Sequence, residues 1–269
     1  MATWKEKCEA FAALHDGNDA FVIPNPWDVG SALVLQALGF KALATTSAGF
    51  AQTLGKGDGA VTLDEKLDHC RMIAAVTTLP VNVDFEDGFA RDPEGVAANI
   101  RRIAETGVAG CSIEDFDRES KTLIEFDAAV ERVQAAAEAV RGMDAPFQLT
   151  ARAENLLRGV NDLDDTIRRL QAFEQAGAHV LYAPGLRRLE DLQQVSREVT
   201  RPLNVLGVFF GGSSVEELAS MGAHRISVGN AFASLSMAPV IAAAKELQEA
   251  GTFGWLAGMP PDLHKLLKG

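Results

Sequence analysis

Eight short apolar runs, rich in β-branched residues, recur along this chain with amphipathic stretches between them, and that alternation leaves few folds open. The runs are AFVIPN (20–25), KALATTS (41–47), PVNVDFE (80–86), AGCSIED (109–115), FQLTARA (147–153), HVLYAP (179–184), PLNVLGV (202–208) and HRISVG (224–229). The stretches between them read as helices. ANIRRIAETG (98–107) sets apolar residues at helical spacing ahead of a glycine, and DDTIRRLQAFEQAG (164–177) repeats the design. Gly39, Gly107, Gly177 and Gly222 stand where helix gives way to strand, as C-caps entering a βα repeat. Eight such units in 269 residues predict one α/β domain, a (β/α)8 TIM-type barrel, with its active site at the C-terminal strand ends. A doubly wound open sheet would carry a Gly-rich nucleotide loop after the first strand, where this chain has Asn25-Pro26-Trp27-Asp28.

Three of the runs break into charge where their strands should end: VNVDFED (82–87), GCSIEDF (110–116) and LTARAEN (149–155). Carboxylates side by side repel each other, so a cation is the simplest reason for Asp84, Glu86, Asp87, Glu114 and Asp115 to converge. Within a strand, residues 84 and 86 point the same way, which would turn both carboxylates to the barrel mouth. Hard oxygen ligands of this kind suit Mg²⁺, with Mn²⁺ as the alternative. Helix capping or loop ion pairs are the structural alternative for any single acid. Arg152 ends the fifth strand on the same rim, placed to grip a carboxylate or phosphoryl group two-pronged or to pair with Glu114 or Glu154. Thr45-Thr46-Ser47-Ala48-Gly49, after strand two, offers hydroxyls and amides for a carboxylate, or is a plain turn. Phe209–Ser214 and Gly229-Asn230 occupy the usual barrel phosphate position, although tight βα turns need glycine anyway.

Some classes are disfavoured. A net charge of −12 argues against nucleic acid or an anionic membrane surface as partner. Cys8, Cys70 and Cys111 are odd in number and far apart, unlike a disulfide framework or a thiolate zinc site. No lysine lies at the C-terminal end of a predicted strand (Lys41 opens one, Lys56 and Lys121 fall in loops), which disfavours a Schiff base. No histidine lies there either, which disfavours histidine-ligated zinc. Neither a secretory leader nor a run of membrane-spanning length is evident, so a cytoplasmic protein is expected.

From NPWD (25–28) to RISVGNAF (225–232) the chain resembles the isocitrate lyase/phosphoenolpyruvate mutase family in the order and spacing of its motifs. The resemblance implies Mg²⁺ chelated by a 2-oxo acid or its enolate and held by acids largely through water. It places Asp84, Glu86 and Glu114 as the metal-site acids and Arg152 as the substrate-binding arginine. Thr46, Ser47 and Ala48 fall on the carboxylate-binding loop, and Asp58, in LGKGDG, on a loop aspartate near the substrate. Asn204, in the seventh run, joins the substrate-binding set, and Arg152, Asp58 and Glu114 form the catalytic set. The family also implies a dimer or tetramer with its last helix exchanged between subunits, which suits an apolar tail at 250–269.

Two departures matter. The lyases' Lys-Lys-Cys-Gly-His loop is replaced by Asp115-Phe116-Asp117-Arg118-Glu119-Ser120-Lys121-Thr122, which speaks against isocitrate and methylisocitrate lyase activity. The longer lysine- and asparagine-bearing loop of the mutase and phosphonopyruvate hydrolase is also missing. The expectation is therefore a Mg²⁺-dependent carbon–carbon lyase of a small 2-oxo acid, with oxaloacetate-type decarboxylation the simplest case. Cleavage of a P–C bond in phosphonopyruvate-like substrates competes with it, as does a barrel that binds a metabolite without turnover.

Overall fold

The computed structural model describes residues 2–17 and 19–268. Eight parallel strands form one sheet: β1 (Phe21–Ile23), β2 (Leu43–Ala44), β3 (Val81–Asp84), β4 (Gly110–Glu114), β5 (Gln148–Arg152), β6 (Val180–Tyr182), β7 (Leu203–Leu206) and β8 (Arg225–Ser227). They are ordered β1-β8-β7-β6-β5-β4-β3-β2. The Ala44 N–H donates to the Pro24 carbonyl at 3.0 Å, which joins the two ends and closes the barrel. All eight expected strands are present, each trimmed at its ends, because flanking residues turn away into loops. Helices α2 (Val29–Ala37) to α9 (Val215–Ser220) cover the outside, with α3 (Ser47–Thr53), α4 (Leu63–Val76), α5 (Pro93–Ala104), α6 (Phe126–Arg141), α7 (Leu163–Ala176) and α8 (Leu189–Glu198) between them. Gly39, Gly107, Gly177 and Gly222 have φ between +87° and +108°, the left-handed conformation a C-capping glycine adopts at little cost.

Strand alternation sorts the side chains. Val83, Ile113, Leu149, Leu181 and Val205 are buried beneath the helices, whereas Asp84, Ser112, Arg152, Asn204 and Ser227 face the barrel interior. The N-terminal end of the barrel is stoppered by α1 (Trp4–Asp16), whose Phe11 and Cys8 are fully buried. A side chain at position 110 would meet the Gln148 carbonyl at 2.6 Å and the Phe11 ring at 2.9 Å, so β4 opens on glycine.

Two features were not expected. The segment after β4 forms a small antiparallel hairpin, Phe116–Asp117 with Thr122–Leu123, whose turn is fixed by the Glu119 and Ser120 amides donating to Asp117 Oδ1. The Ser47 region is not an open turn, because Thr46 caps α3 through its hydroxyl. After β8 comes α10 (Ala231–Glu249), which exposes Leu235, Met237, Val240 and Ile241. The tail continues through exposed Phe253, Leu256 and Met259 to α11 (Leu263–Leu266), which packs back on α2. Among the described residues, no helix is long and apolar enough to cross a membrane.

Candidate active site

A cavity of about 350 Å³ opens at the C-terminal strand ends, and Arg152 and Asp84 form part of its wall. β4, β5 and β6 bring Glu114, Arg152 and Tyr182 into register side by side. The guanidinium is gripped from three directions. Nη1 donates to Asp84 Oδ1 at 2.8 Å, Nε and Nη2 donate to Glu154 Oε1 at 3.0 and 2.7 Å, and Nη2 lies 3.1 Å from Glu114 Oε2. Its face lies over the Tyr182 ring, 5.2 Å from the centroid. Burial works against the Arg152 charge, but Glu114, Glu154 and Asp84 outweigh it and hold the group well above the ordinary guanidinium range. Its orientation is therefore fixed by partners rather than by packing alone.

Burial pushes the Asp84 carboxyl upward, yet Arg152, Lys66 and the Ser47 amide prevail and hold it below the usual carboxylate range. The Ser47 N–H donates to Asp84 Oδ2 at 2.9 Å, and the Thr45 hydroxyl accepts from the Asp84 amide at 3.0 Å. Glu114 is different. Burial raises it well above the ordinary range, with Glu154 and Asp84 adding to the rise against Arg152 and Arg158.

The strand-end acids do not face one another bare, because Arg152, Arg158, Lys66 and Arg118 lie among them. The expectation that Glu86 faces the mouth alongside Asp84 also fails. β3 ends at Asp84, and Glu86 adopts φ +48°, which breaks the strand alternation. The Glu86 carboxylate lies 3.6 Å from both Lys66 Nζ and Arg118 Nη1, off the cavity wall, and neither oxygen has a hydrogen-bond partner. Burial, with Asp84 and Asp58 adding to it, raises its carboxyl above the usual value despite Lys66 and Arg118. Glu114 likewise sits behind Arg152 rather than on the wall. Among the described residues no three acid, histidine or cysteine side chains converge into a ready ligand cage.

Thr46, Ser47, Ala48, Asp58, Asp84, Arg152 and Asn204 do share the cavity. Asp58 is held near by the hairpin, where Arg118 Nη1 donates to the Val61 carbonyl at 2.8 Å. Val208 and Phe209 form an apolar part of the wall. The Val228 and Gly229 amides both donate to Asn25 Oδ1, so these two donors are engaged within the protein. Sequence reasoning missed Lys66, a fully buried helix residue whose Nζ donates to the Asp84 carbonyl at 3.2 Å. It also missed Tyr182 and Arg225; Arg225 was legible as a charge alternating with Ser227 inside an apolar strand.

The model of the phosphoenolpyruvate phosphomutase family matches residues 11–248. The chain belongs to the isocitrate lyase/phosphoenolpyruvate mutase family. Oxaloacetate decarboxylase of Pseudomonas putida GB-1 is 30% identical over 237 residues, covering 82% of this chain and 78% of that enzyme. A solved structure from Burkholderia cenocepacia J2315 is 45% identical with a TM-score of 0.95, covering 99% of this chain and 97% of its own. Phosphonopyruvate hydrolase, solved with oxalate and Mg²⁺, shares the fold at a TM-score of 0.87 and 19% identity, over 98% of this chain and 95% of that one. An oxaloacetate decarboxylase thus stands among this chain's relatives, within a family whose model is that of a phosphomutase.

Proposed function

We propose that this protein is a Mg²⁺-dependent carbon–carbon lyase of a small 2-oxo acid, with oxaloacetate decarboxylation as its simplest reaction. The observation that carries the reading is Arg152, clamped by three carboxylates on the wall of a cavity that also holds Asp84 and the 46–48 segment. The residues fit a divalent cation. Asp84 presents a hard, ionised carboxylate, and the buried, orphaned oxygens of Glu86 are donors that a hydrated Mg²⁺ or Mn²⁺ would satisfy through its waters, with Glu114 behind them. When bound, the cation supplies positive charge for the 2-oxo and carboxylate oxygens of the substrate.

In decarboxylation the C3–C4 bond breaks, its electron pair moves into the enolate of pyruvate, carbon dioxide leaves, and a water-derived proton adds at C3. Arg152 orients the substrate carboxylate and opposes the growing enolate charge. Ser47 and Thr46 position Asp84 and the carboxylate-binding loop. Burial pushes the Tyr182 hydroxyl up to about 12, so it remains a neutral hydrogen-bond donor beneath Arg152. Among the described residues the cavity wall has no histidine, cysteine or lysine. Decarboxylation needs no general base to start, which suits a wall whose titratable groups besides the arginines are Asp58, Asp84 and Tyr182.

The exposed apolar face of α10 supports a second part of the proposal, a homo-oligomer in which this helix packs on another copy. Pyruvate release from oxaloacetate with Mg²⁺, compared with pyruvate release from phosphonopyruvate, tests the reaction. Faster turnover of phosphonopyruvate would replace C–C with P–C cleavage, and turnover of neither would leave a binding barrel.

A further inference from the structure

At the floor of the cavity, below Arg152, lies a second arginine with an unusual environment. Arg225 opens β8 and is only 3% exposed, yet it forms part of the cavity wall. Among the described residues no carboxylate lies within 4 Å of it, whereas Arg152 and Arg169 are each paired with carboxylates and buried Arg132 is met by three backbone carbonyls. Its partners are all neutral: Nε donates to Asn204 Oδ1 at 2.7 Å, Nη2 to the Thr150 hydroxyl at 3.0 Å, and Nη1 lies 3.2 Å from His15 Nε2. His15 Nδ1 lies 2.8 Å from the Phe11 carbonyl, which can only accept, so the proton is on Nδ1 and Nε2 accepts from Arg225. Burial, then the Arg225 charge, pushes His15 down to about 3, so the imidazole brings no charge of its own.

A guanidinium has five N–H donors, and these three acceptors leave two without a partner among the hydrogen bonds present. An enclosed cation without a counter-charge is costly, and burial pulls Arg225 down to about 9. Folding alone offers cheaper ways to fill that position. An anion arriving through the cavity would supply both the missing acceptor and the missing charge.

We propose that Arg225, oriented by Asn204 and Thr150, is a second carboxylate subsite, which makes the preferred ligand a dicarboxylate rather than a monocarboxylate. This rests on the reading of the cavity as a 2-oxo acid site, with one carboxylate at Arg152 and the distal one at Arg225. The pairing has a kinetic consequence. A guanidinium stabilises a carboxylate in the ground state, so Arg225 anchors the substrate and does not assist the loss of that carboxylate as carbon dioxide.

The test compares L-malate with L-2-hydroxybutyrate, which differ by a carboxylate in place of a methyl group, by calorimetric titration with Mg²⁺ present. Neither ligand has to turn over, so the outcome is separable from the lyase assay. The unmodified protein should bind malate at least about tenfold more tightly, a preference of about 1.4 kcal/mol. Arg225→Met should remove that preference while leaving 2-hydroxybutyrate affinity within about twofold. Where oxaloacetate is turned over, the same variant should raise KM without lowering kcat. Absence of the malate preference in the unmodified protein, a reading that needs no variant to fold, overturns the proposal. So does a folded Arg225→Met protein that keeps the preference.

Discussion

Replacing Arg152 by lysine separates what this residue does for the fold from what it does for a ligand. The guanidinium reaches Asp84 through Nη1, Glu154 through Nε and Nη2, and Glu114 through Nη2. A lysine ammonium is a point charge and cannot span Asp84 and Glu154 together. One or two charge-assisted hydrogen bonds, at about 1.5–3 kcal/mol each when fully lost, would be weakened while the charge stays. The expected loss of stability is about 2 kcal/mol, or roughly 4–8 °C in Tm for a chain of this size. Asp84 adds a third partner to Glu114 and Glu154, the two the sequence offered, which makes the loss measurable. Catalytically, loss of the fixed guanidinium and of the Nη1 donor that its carboxylate partners leave free should lower kcat/KM by at least about tenfold, or about 1.4 kcal/mol. Glu154→Gln is the control, because Glu154 is fully buried and off the cavity wall. It should lower Tm comparably with a smaller effect on kcat/KM. Thermal unfolding and steady-state kinetics per folded molecule, on the same preparations, decide the matter. Unchanged kcat/KM in Arg152→Lys alongside a lowered Tm would refute the substrate role and leave a structural ion pair.

Three further outcomes are expected. Asp84→Asn should abolish the rise in Tm that Mg²⁺ gives the unmodified protein and should abolish turnover, as read by thermal shift with and without EDTA; a retained Mg²⁺ effect would remove Asp84 from the metal site. Burial raises Asp115 to about 6, so its contribution to stability is present below its unfolded value near 4 and is lost as pH rises through about 6. The stability of the unmodified protein relative to Asp115→Asn should therefore grow, by on the order of 2 kcal/mol, as pH falls from about 6 to about 4, and a flat difference would contradict it. Charging the exposed face of α10 with Leu235→Glu and Ile241→Glu together should reduce the sedimenting species to a monomer, whereas an unmodified protein already monomeric at micromolar concentration would exclude the oligomer.

The barrel was legible because strand and helix periods differ and because Gly39, Gly107, Gly177 and Gly222 mark four of the junctions. Arg152 and Asp84 were legible because charge at the end of an apolar run has few structural uses. What stayed hidden was relational. Glu86 follows the strand pattern in sequence, but a left-handed backbone at that residue turns it to Lys66 and Arg118. Lys66 lies in a helix whose pattern does not announce that its ammonium reaches a strand end. Arg225 could be read as inward-facing, but its lack of an acidic partner appears only when β7, β8 and α1 are assembled around it. The hairpin at 116–123 is two residues to a strand, too short for alternation to reveal.

Cleavage of a carbon–carbon bond of a 2-oxo acid, with a divalent cation held at Asp84, is the proposal on which the other roles depend. The most direct measurement follows pyruvate release from oxaloacetate by the purified protein, with Mg²⁺, with EDTA, and in Asp84→Asn. Pyruvate release should run well above the rate of Mg²⁺ in buffer and fall to that background on chelation and in the variant. Release that persists under EDTA, or that never exceeds the buffer rate in any condition, would contradict it.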